Sequence, residues 1–292
     1  MHRHKYLLIT FLVFALIGGI ALFAGDVHGL TGSVEFTSSN DESRYAEVAS
    51  VLDQSPTTVA SSTAKLKLPI LVYHIVRPSD PSDSQAVKDI AQTPEVFDAQ
   101  MKYLADAGYR IVSFADLERH YKSGAALPRN PVIISFDDGW SNQFRYAFPI
   151  LKKYRYSATF FVFTNPIGIN KSFITWGELR EMRAAGQTIG SHSLSHPYLT
   201  RISDPTKLWN EVASSKERLE KELGAPVTEF AYPFGQYNPS IVAMVEKAGY
   251  TSARGDRSYR SEQTADRLFS LDAMNAPTSI ELFKQKFPSV SY

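Results

Sequence analysis

From Leu68 onward, short apolar runs alternate with longer amphipathic segments, and this alternation constrains the fold more than any other feature of the sequence. The runs predicted to form strands are Pro69–Val76, Arg110–Ser113, Val132–Phe136, Ala158–Phe163, Thr188–Ser191 and Phe230–Pro233, with weaker ones near Thr251 and Leu268. Short strands that are buried on both faces and separated by helices are typical of a parallel sheet built from βα units. About seven such units predict an α/β fold, a single-domain distorted (β/α)7-type barrel with its functional residues at the carboxyl ends of the strands.

The helical segments carry clear start signals. Thr93, Asp204 and Asn238 each precede a proline, which is the order of an N-cap residue and a proline at the first helical position. Thr175 and Glu178 have the spacing of a capping box. We therefore expect a helix to begin at each of these four places.

Composition excludes several classes of site and partner. The chain has no cysteine, so it has neither a disulfide framework nor a thiolate metal site or nucleophile. Its 31 basic and 30 acidic residues give a formal net charge of +1 at pH 7, without a basic run beyond the extreme N-terminus. Nothing in this charge pattern attracts nucleic acid, so no nucleic-acid partner is expected, and the sequence identifies no protein partner.

The N-terminal part of the chain reads as two segments that precede the folded domain. Residues 1–24 combine a short basic lead with a long uncharged apolar stretch, which is long enough to span a bilayer with the N-terminus inside. We predict an uncleaved membrane anchor there, and cleavage as a signal peptide followed by secretion is the alternative. Residues 25–66 are rich in small and polar residues, so we predict a flexible tether with one short helix near Tyr45–Leu52. Residues 67–292 would form the folded domain outside the cytoplasm.

Two adjacent acids, Asp137 and Asp138, directly follow the predicted strand Val132–Phe136. Carboxylates at the end of an apolar strand are costly unless a partner neutralises them. One of the two could bind a metal ion while the other faces a substrate. Taken alone, however, Asp-Asp-Gly is also a common turn composition with solvated acids.

His192 and His196 follow another predicted strand and are four residues apart. Two histidines at this spacing can converge on one metal ion, although a lone pair of this kind also occurs by chance in polar loops. Two imidazoles and one carboxylate form a three-ligand site that leaves positions open for water and substrate. The second carboxylate would then act as a general base. The same ligands suit non-haem iron(II), so the ligand set alone leaves a hydrolase and an oxygenase open.

Three motifs together resemble the polysaccharide deacetylase family, also called carbohydrate esterase family 4. They are Ser135-Phe136-Asp137-Asp138-Gly139, His192-Ser193-Leu194-Ser195-His196 with the preceding Ile174-Thr175-Trp176-Gly177-Glu178-Leu179, and Phe230-Ala231-Tyr232-Pro233-Phe234-Gly235. The opening Pro69-Ile70-Leu71-Val72-Tyr73-His74 is similar to a subgroup with permuted motif order, which includes poly-N-acetylglucosamine deacetylases of biofilm systems. The likeness extends from about Leu68 to Phe287.

The resemblance implies a role for each motif residue. Asp138, His192 and His196 would bind a metal ion, usually zinc, with Co²⁺, Ni²⁺ or Fe²⁺ as alternatives. Asp137 would activate water against the acetamide carbonyl, whose developing charge would be met by the metal and by the backbone N–H of Phe234. No histidine follows His196, so His74 is assigned as the acid that protonates the leaving amine.

The sequence departs from the family pattern at two places. The third motif usually begins with an arginine that holds the catalytic aspartate, and Ala231 stands there instead. Arg145 or Arg254 could replace it. The fourth motif, which contains Asp and Trp, is not recognisable near Tyr250–Asp256.

The expected substrate is a polysaccharide outside the cytoplasm, with poly-N-acetylglucosamine favoured. Peptidoglycan or chitooligosaccharide deacetylation is the first alternative, and a non-catalytic sugar-binding module of the same fold is the second. Sugar rings stack on aromatic faces, so we also predict Tyr232 and Trp209 as residues of the substrate groove.

Overall fold

The structure is a computed structural model, and it describes residues 65–255 and 261–289. Within these ranges no helix has both the length and the apolar character needed to cross a membrane. The predicted anchor over residues 1–24, nearly all of the predicted tether and the short helix near Tyr45–Leu52 lie outside the described residues.

The centre of the fold is a curled sheet of parallel strands, as the alternation of apolar runs predicted. The strands of the described residues are β1 Leu66–Lys67, β2 Ile70–Tyr73, β3 Ile75–Val76, β4 Ala91–Gln92, β5 Arg110–Ile111, β6 Pro131–Phe136, β7 Thr159–Val162, β8 Thr188–Ser191, β9 Glu229–Ala231, β10 Ser252–Arg254, β11 Glu262–Gln263 and β12 Met274–Asn275. The main sheet has the order β10-β9-β8-β7-β6-β2-β12, and β5 also pairs with β6. Every pairing in it is parallel, so the carboxyl ends of its strands lie at one edge.

The segment around β12 links the two ends of the curled sheet. Leu271 forms a parallel bridge with Arg254 in β10, and three residues later Met274 pairs with Leu71 in β2. The weak strand predicted near Leu268 is therefore displaced toward β12, because a 3₁₀ turn, Ala265–Arg267, occupies the chain just before Leu268. The short strands β1 with β11 and β3 with β4 form two separate pairs.

Helices pack outside the sheet and begin where the sequence predicted. The α-helices of the described residues are α1 Gln85–Lys88, α2 Pro94–Asp106, α3 Phe114–Ser123, α4 Phe148–Tyr154, α5 Trp176–Ala184, α6 Pro205–Trp209, α7 Ser215–Leu223, α8 Pro239–Lys247 and α9 Ile280–Lys286. Thr93, Asp204 and Asn238 cap α2, α6 and α8 through their side chains, and Thr175 and Glu178 form the capping box of α5. All four predicted helix starts are confirmed.

The core has two parts because the strands are buried on both faces. Along β2, Leu71 and Tyr73 join a large cluster of buried apolar side chains, and Ile70 and Val72 join a second, smaller cluster. Alternate residues of a strand point to opposite faces, so this split follows directly from strand geometry. Burial on both faces explains why these strands read as continuous apolar runs in the sequence.

Gly190 in β8 is a position where the packing leaves no room for a side chain. A Cβ atom there would lie 2.6 Å from two ring carbons of Phe161 and 3.2 Å from the carbonyl oxygen of Glu229. Phe161 is fully buried and lies beneath the guanidinium of Arg254, 4.7 Å from its ring centroid. The ring therefore has no free space into which it could move.

We expect Gly190→Ala to lower the free energy of unfolding by about 1–3 kcal/mol, the usual cost of overpacking a core. The matched control is Gly177→Ala in α5, where the nearest atom to the added methyl is the Thr175 hydroxyl at 3.9 Å. An alanine in a helix restricts the unfolded chain, so this control should be neutral or slightly stabilising. Urea denaturation of both variants measures the difference, and equal stabilities would contradict this account of the packing.

Candidate active site

The predicted site residues meet at the carboxyl edge of the sheet. His74 directly follows β2, Asp137 directly follows β6, and His192 directly follows β8. β2 and β6 are neighbours, and only β7 separates β6 from β8. Three residues that are far apart in sequence are therefore brought together by the strand order.

Asp138, His192 and His196 form the one group of metal-ligand type found among the described residues. The Nε2 atoms of His192 and His196 are 3.2 Å apart, and Asp138 Oδ1 lies 3.7 Å from the first and 3.4 Å from the second. Ligands about 2.1 Å from a tetrahedral zinc ion are separated by roughly 3.4 Å, so the three atoms have the spacing of one face of such a site.

The protonation of the two histidines also fits a metal site. The Nδ1 of His192 is 2.8 Å from the carbonyl oxygen of Ala231, an arrangement in which Nδ1–H donates and leaves the Nε2 lone pair free. Burial and the neighbouring His192 lower the pKa of His196 to about 4, so this imidazole is neutral near pH 7. Neutral imidazoles are the form that binds metal ions.

Trp140 orients the Asp138 carboxylate, a role that the sequence does not indicate. Its indole Nε1 donates a 2.9 Å hydrogen bond to Asp138 Oδ2, which leaves Oδ1 toward the histidines. The indole stacks on Phe173 with ring centroids 4.6 Å apart, and this contact fixes the ring. Trp140 lies within two residues of Asp138, but spacing alone does not distinguish a donor to the carboxylate from an aromatic residue of the core.

Glu211 holds the loop that carries His196. Its carboxylate accepts hydrogen bonds from the backbone N–H groups of Leu194 and Ser195, at 3.1 and 2.9 Å, and from the Ser195 hydroxyl. The buried Ser193 hydroxyl accepts a 2.9 Å bond from the backbone N–H of His196. Glu211 is distant in sequence from the motif, and no local pattern connects the two.

Arg254 replaces the arginine that Ala231 does not provide. Its guanidinium donates a short hydrogen bond to Asp137 Oδ1, and the side chain is only 1% exposed. Arg254 in β10 is the register partner of Ala231 in β9. The guanidinium therefore reaches Asp137 from β10, the strand next to β9, at the level of Ala231. Arg145, the other arginine considered, is exposed on the protein surface.

Asp137 is buried yet held in its charged form. Burial alone would raise the pKa of Asp137, but the charges of Arg254, His192 and His74 and the hydrogen bond from Arg254 lower it below its usual value. Its second oxygen, Oδ2, lies 3.8 Å from His192 Nε2 and 3.9 Å from His74 Nε2. A carboxylate in this position can accept a proton, with His74 on one side and the metal-ligand group on the other.

Gln143 holds the backbone of both His74 and Asp137 in place. Its buried amide nitrogen donates to the carbonyl oxygens of His74 and Asp137. The residue lies in a π-helical segment, Gln143–Ala147, that follows the β6 loop. Irregular helical turns of this kind are frequent at functional sites.

Phe234 lies beside the metal-ligand group in a strained turn. Its backbone has a positive φ of 57°, and its ring centroid is 4.5 Å from that of His196 and 3.8 Å from that of Tyr198. Among the described residues, the Phe234 N–H donates no hydrogen bond. This donor is therefore available to a ligand.

Of the two aromatic residues predicted for the groove, Tyr232 is buried in the core and Trp209 is partly exposed. The prediction for Tyr232 is wrong: its side chain is 1% exposed, and its hydroxyl donates a 2.9 Å hydrogen bond to the carbonyl of Phe269, so no sugar can stack on it. Trp209 is at the end of α6, where the Lys247 ammonium lies 5.7 Å from its ring centroid. Trp209 thus contacts a lysine of another helix, α8.

Comparison with known proteins is consistent with this geometry. Residues 124–253 match the family described as Polysaccharide deacetylase. The chain is 31% identical over 184 residues to the Bacillus subtilis protein YxkH, which is named for polysaccharide deacetylation, over 63% of this chain and 62% of YxkH. It is 29% identical over 181 residues to a Staphylococcus aureus poly-beta-1,6-N-acetyl-D-glucosamine N-deacetylase, over 58% of this chain and 62% of that protein. The chain thus spans less than two thirds of the length of both relatives.

Two solved structures share the fold over most of their length. The Streptococcus pyogenes deacetylase PplD in complex with acetate has a TM-score of 0.70 and 26% identity, over 77% of this chain and 99% of PplD. IcaB from Ammonifex degensii has a TM-score of 0.65 and 25% identity, over 76% of this chain and 95% of IcaB.

We expect Arg254→Met to lower the free energy of unfolding by about 3–5 kcal/mol, because it leaves the buried Asp137 carboxylate without its partner. The double variant Arg254→Met with Asp137→Asn should lose less, since no buried charge remains. Arg119→Met is the control, because its ion pair with Asp116 is exposed and worth at most about 1 kcal/mol. Urea denaturation in the presence of a chelator measures all three, and a double variant less stable than Arg254→Met would contradict the argument.

We expect Trp140→Phe to weaken the binding of a divalent metal ion by about 10- to 100-fold, the usual effect of losing a hydrogen bond to a ligand. Phenylalanine keeps an aromatic ring against Phe173 but removes the indole N–H. Competition with a chelator of known affinity gives the metal dissociation constant. Phe173→Leu disturbs the stacking without removing the donor, so a larger loss in Phe173→Leu than in Trp140→Phe would argue against the hydrogen bond.

Proposed function

Since residues 124–253 match the polysaccharide deacetylase family, we propose that the chain is a metal-dependent hydrolase that removes N-acetyl groups from an N-acetylglucosamine polysaccharide outside the cytoplasm. The observation that carries this proposal is the position of Asp137. Its carboxylate is ion-paired with Arg254 on one oxygen, and the other oxygen faces both His74 and the group formed by Asp138, His192 and His196.

We propose zinc as the metal ion, held by Asp138, His192 and His196. The donor set and its spacing support zinc, and Co²⁺, Ni²⁺ or Fe²⁺ would find the same ligands. A divalent ion bound there supplies a Lewis acid that polarises the acetamide carbonyl and makes water more acidic. The three side chains leave further coordination positions open for substrate and water, as a catalytic site requires.

The remaining residues would move the protons and meet the developing charge. Asp137 Oδ2 would accept the proton of the water that attacks the acetyl carbon. His74 Nε2 would donate a proton to the amine nitrogen as the C–N bond breaks, so that acetate and a free amine are formed. The Phe234 N–H would donate to the carbonyl oxygen, whose negative charge increases during the attack.

The relatives guide the choice of polymer. Poly-β-1,6-N-acetylglucosamine is favoured because one relative is named as its N-deacetylase and IcaB has the same fold. Peptidoglycan and chitooligosaccharides are the alternatives. The reason to consider a non-catalytic sugar-binding module was the absence of an arginine at position 231, where Ala231 stands. Because Arg254 forms an ion pair with Asp137, that absence no longer argues against catalysis.

We propose that residues 1–24 hold the enzyme at the outer face of the membrane. The support is their basic lead and the uncharged apolar stretch that follows, which together resemble an anchor. Such an anchor would keep the site near newly exported polymer. Release by signal cleavage is the alternative.

The test is acetate release from β-1,6-linked N-acetylglucosamine oligomers by the full chain, first treated with a chelator and then supplied with Zn²⁺. We expect release only after Zn²⁺ is added, because the carbonyl must be polarised before water attacks. Asp137→Asn should bind Zn²⁺ as tightly as the wild type but release at least about 100-fold less acetate, since the general base is lost. Asp138→Ala should lose Zn²⁺ itself.

Metal content, measured on the same samples, separates the outcomes. Zinc binding without acetate release would point to peptidoglycan or chitooligosaccharides, which are then tested in turn. Acetate release by Asp137→Asn at the wild-type rate would show that Asp137 is not the base. A wild-type chain that binds no divalent metal ion would overturn the proposal.

A further inference from the structure

A groove of about 530 Å³ is connected to the candidate site through Trp140, which lines the groove and contacts Asp138. Ile75 at one wall is the residue after His74, and Trp140 at another wall is the indole that donates to Asp138. Among the other lining residues are Arg77, Asn142, Arg145 and Tyr146. A polymer whose acetyl group reaches Asp137 could therefore continue along this groove.

The lining of the groove is suited to a sugar residue. Trp140 and Tyr146 provide aromatic surface, and Ser141, Asn142 and Ser172 provide small polar groups. Small-ligand pockets have volumes of about 300–1,000 Å³ and combine apolar walls with a few polar groups in this way. Hydroxyl groups and the apolar face of a sugar ring match the two kinds of surface.

The charge of the groove is unbalanced. Two arginines line it, and no Asp or Glu does. Arg77 is neutralised by a salt bridge with Asp83. The guanidinium of Arg145 forms no ion pair and no hydrogen bond with any part of the chain that the structure describes.

Two glutamates that share a second groove with Arg145 form no ion pair with it. Glu178 and Glu181 line a neighbouring groove that Arg145 also borders. Neither carboxylate lies within salt-bridge distance of the guanidinium, and that of Glu178 already accepts hydrogen bonds from Thr175 in the capping box of α5. Arg145 therefore presents an uncompensated cation at the edge of a sugar-sized groove.

We propose that this groove binds a sugar residue adjacent to the one that is deacetylated, and that Arg145 recognises a carboxylate carried by that residue. The inference rests on the proposed function, because it extends the substrate from the same site. A guanidinium binds a carboxylate through two parallel hydrogen bonds, which gives geometric selection as well as charge attraction. The carboxylate has two sources: the lactyl ether of a muramic acid residue, or an acid ester-linked to a glucosamine polymer.

The experiment compares three oligomers as substrates of the full chain loaded with Zn²⁺. They are a plain β-1,6-linked N-acetylglucosamine oligomer, the same oligomer carrying O-succinyl groups, and a peptidoglycan oligomer containing muramic acid. We expect kcat/KM for at least one carboxylated oligomer to exceed that for the plain oligomer by roughly tenfold. Added salt should reduce this preference, because Arg145 is exposed to solvent.

Arg145→Gln should abolish the preference, mainly through KM. Arg145→Lys should keep part of it, since the charge remains and the planar pair of donors is lost. Arg129→Gln is the matched control, because Arg129 is exposed before β6, at the opposite end of that strand. A wild type without preference, or a preference that survives in Arg145→Gln, would overturn the proposal, and the oligomer that is preferred identifies the source of the carboxylate.

A binding measurement separates this proposal from the proposed function. Calorimetric titration of the Zn²⁺-loaded chain with plain and succinylated oligomers reports recognition without turnover, and the muramic acid oligomer is titrated in the same way. If no oligomer releases acetate, the proposed function fails for these substrates. A carboxylate preference in binding that Arg145→Gln removes would still support the groove, and equal binding of all three oligomers would refute it.

Discussion

The buried carboxylate of Asp137 is the constraint on which the rest of the site depends. A charge in this position is unfavourable unless strong partners compensate it. Arg254 pairs with Oδ1 of Asp137. The other carboxylate oxygen, Oδ2, therefore points toward His74 and His192, which lie at nearly equal distances from it. Gln143 binds the carbonyls of Asp137 and His74 and keeps the two loops in register. The same contacts that make the burial tolerable therefore also aim the carboxylate.

Arg254 supplies from a neighbouring strand the positive charge that the motif led us to expect at Ala231. Ala231 and Arg254 are register partners on neighbouring parallel strands, so a side chain from either reaches the same level of the barrel. The long guanidinium bridges the extra strand spacing and packs over Phe161 on the way. Phe161 in turn needs Gly190 opposite it, because a methyl group there would occupy the space of the ring. The relocated charge thus depends on a glycine two strands away from β10.

Local signals in the sequence predicted the strands and helix starts well, because caps, prolines and apolar runs act over a few residues. The motifs also indicated which residues would meet, since parallel strands gather their carboxyl ends at one edge. Arg254 could be named only as one of two candidates, and Trp140 and Glu211 could not be assigned, because their partners are fixed only by strand register and loop packing. Tyr232 was assigned wrongly because the sheet is buried on both faces: Tyr232 lies two residues after Phe230, on the same face, and joins it in the larger core cluster.

Backbone strain is concentrated where the chemistry is proposed. Of the six non-glycine residues with positive φ in the described ranges, four lie in the motif loops: Asp138, Ser193, His196 and Phe234. Such conformations persist only where surrounding contacts over-determine them, and here Glu211, the Ser193 hydroxyl and Trp140 supply those contacts. The two imidazole nitrogens lie 3.2 Å apart, so either a proton shared between them or a bound cation keeps their lone pairs from repelling. The fold therefore holds the donors in an arrangement that a bound cation can stabilise, which couples metal binding to the stability of the loops themselves.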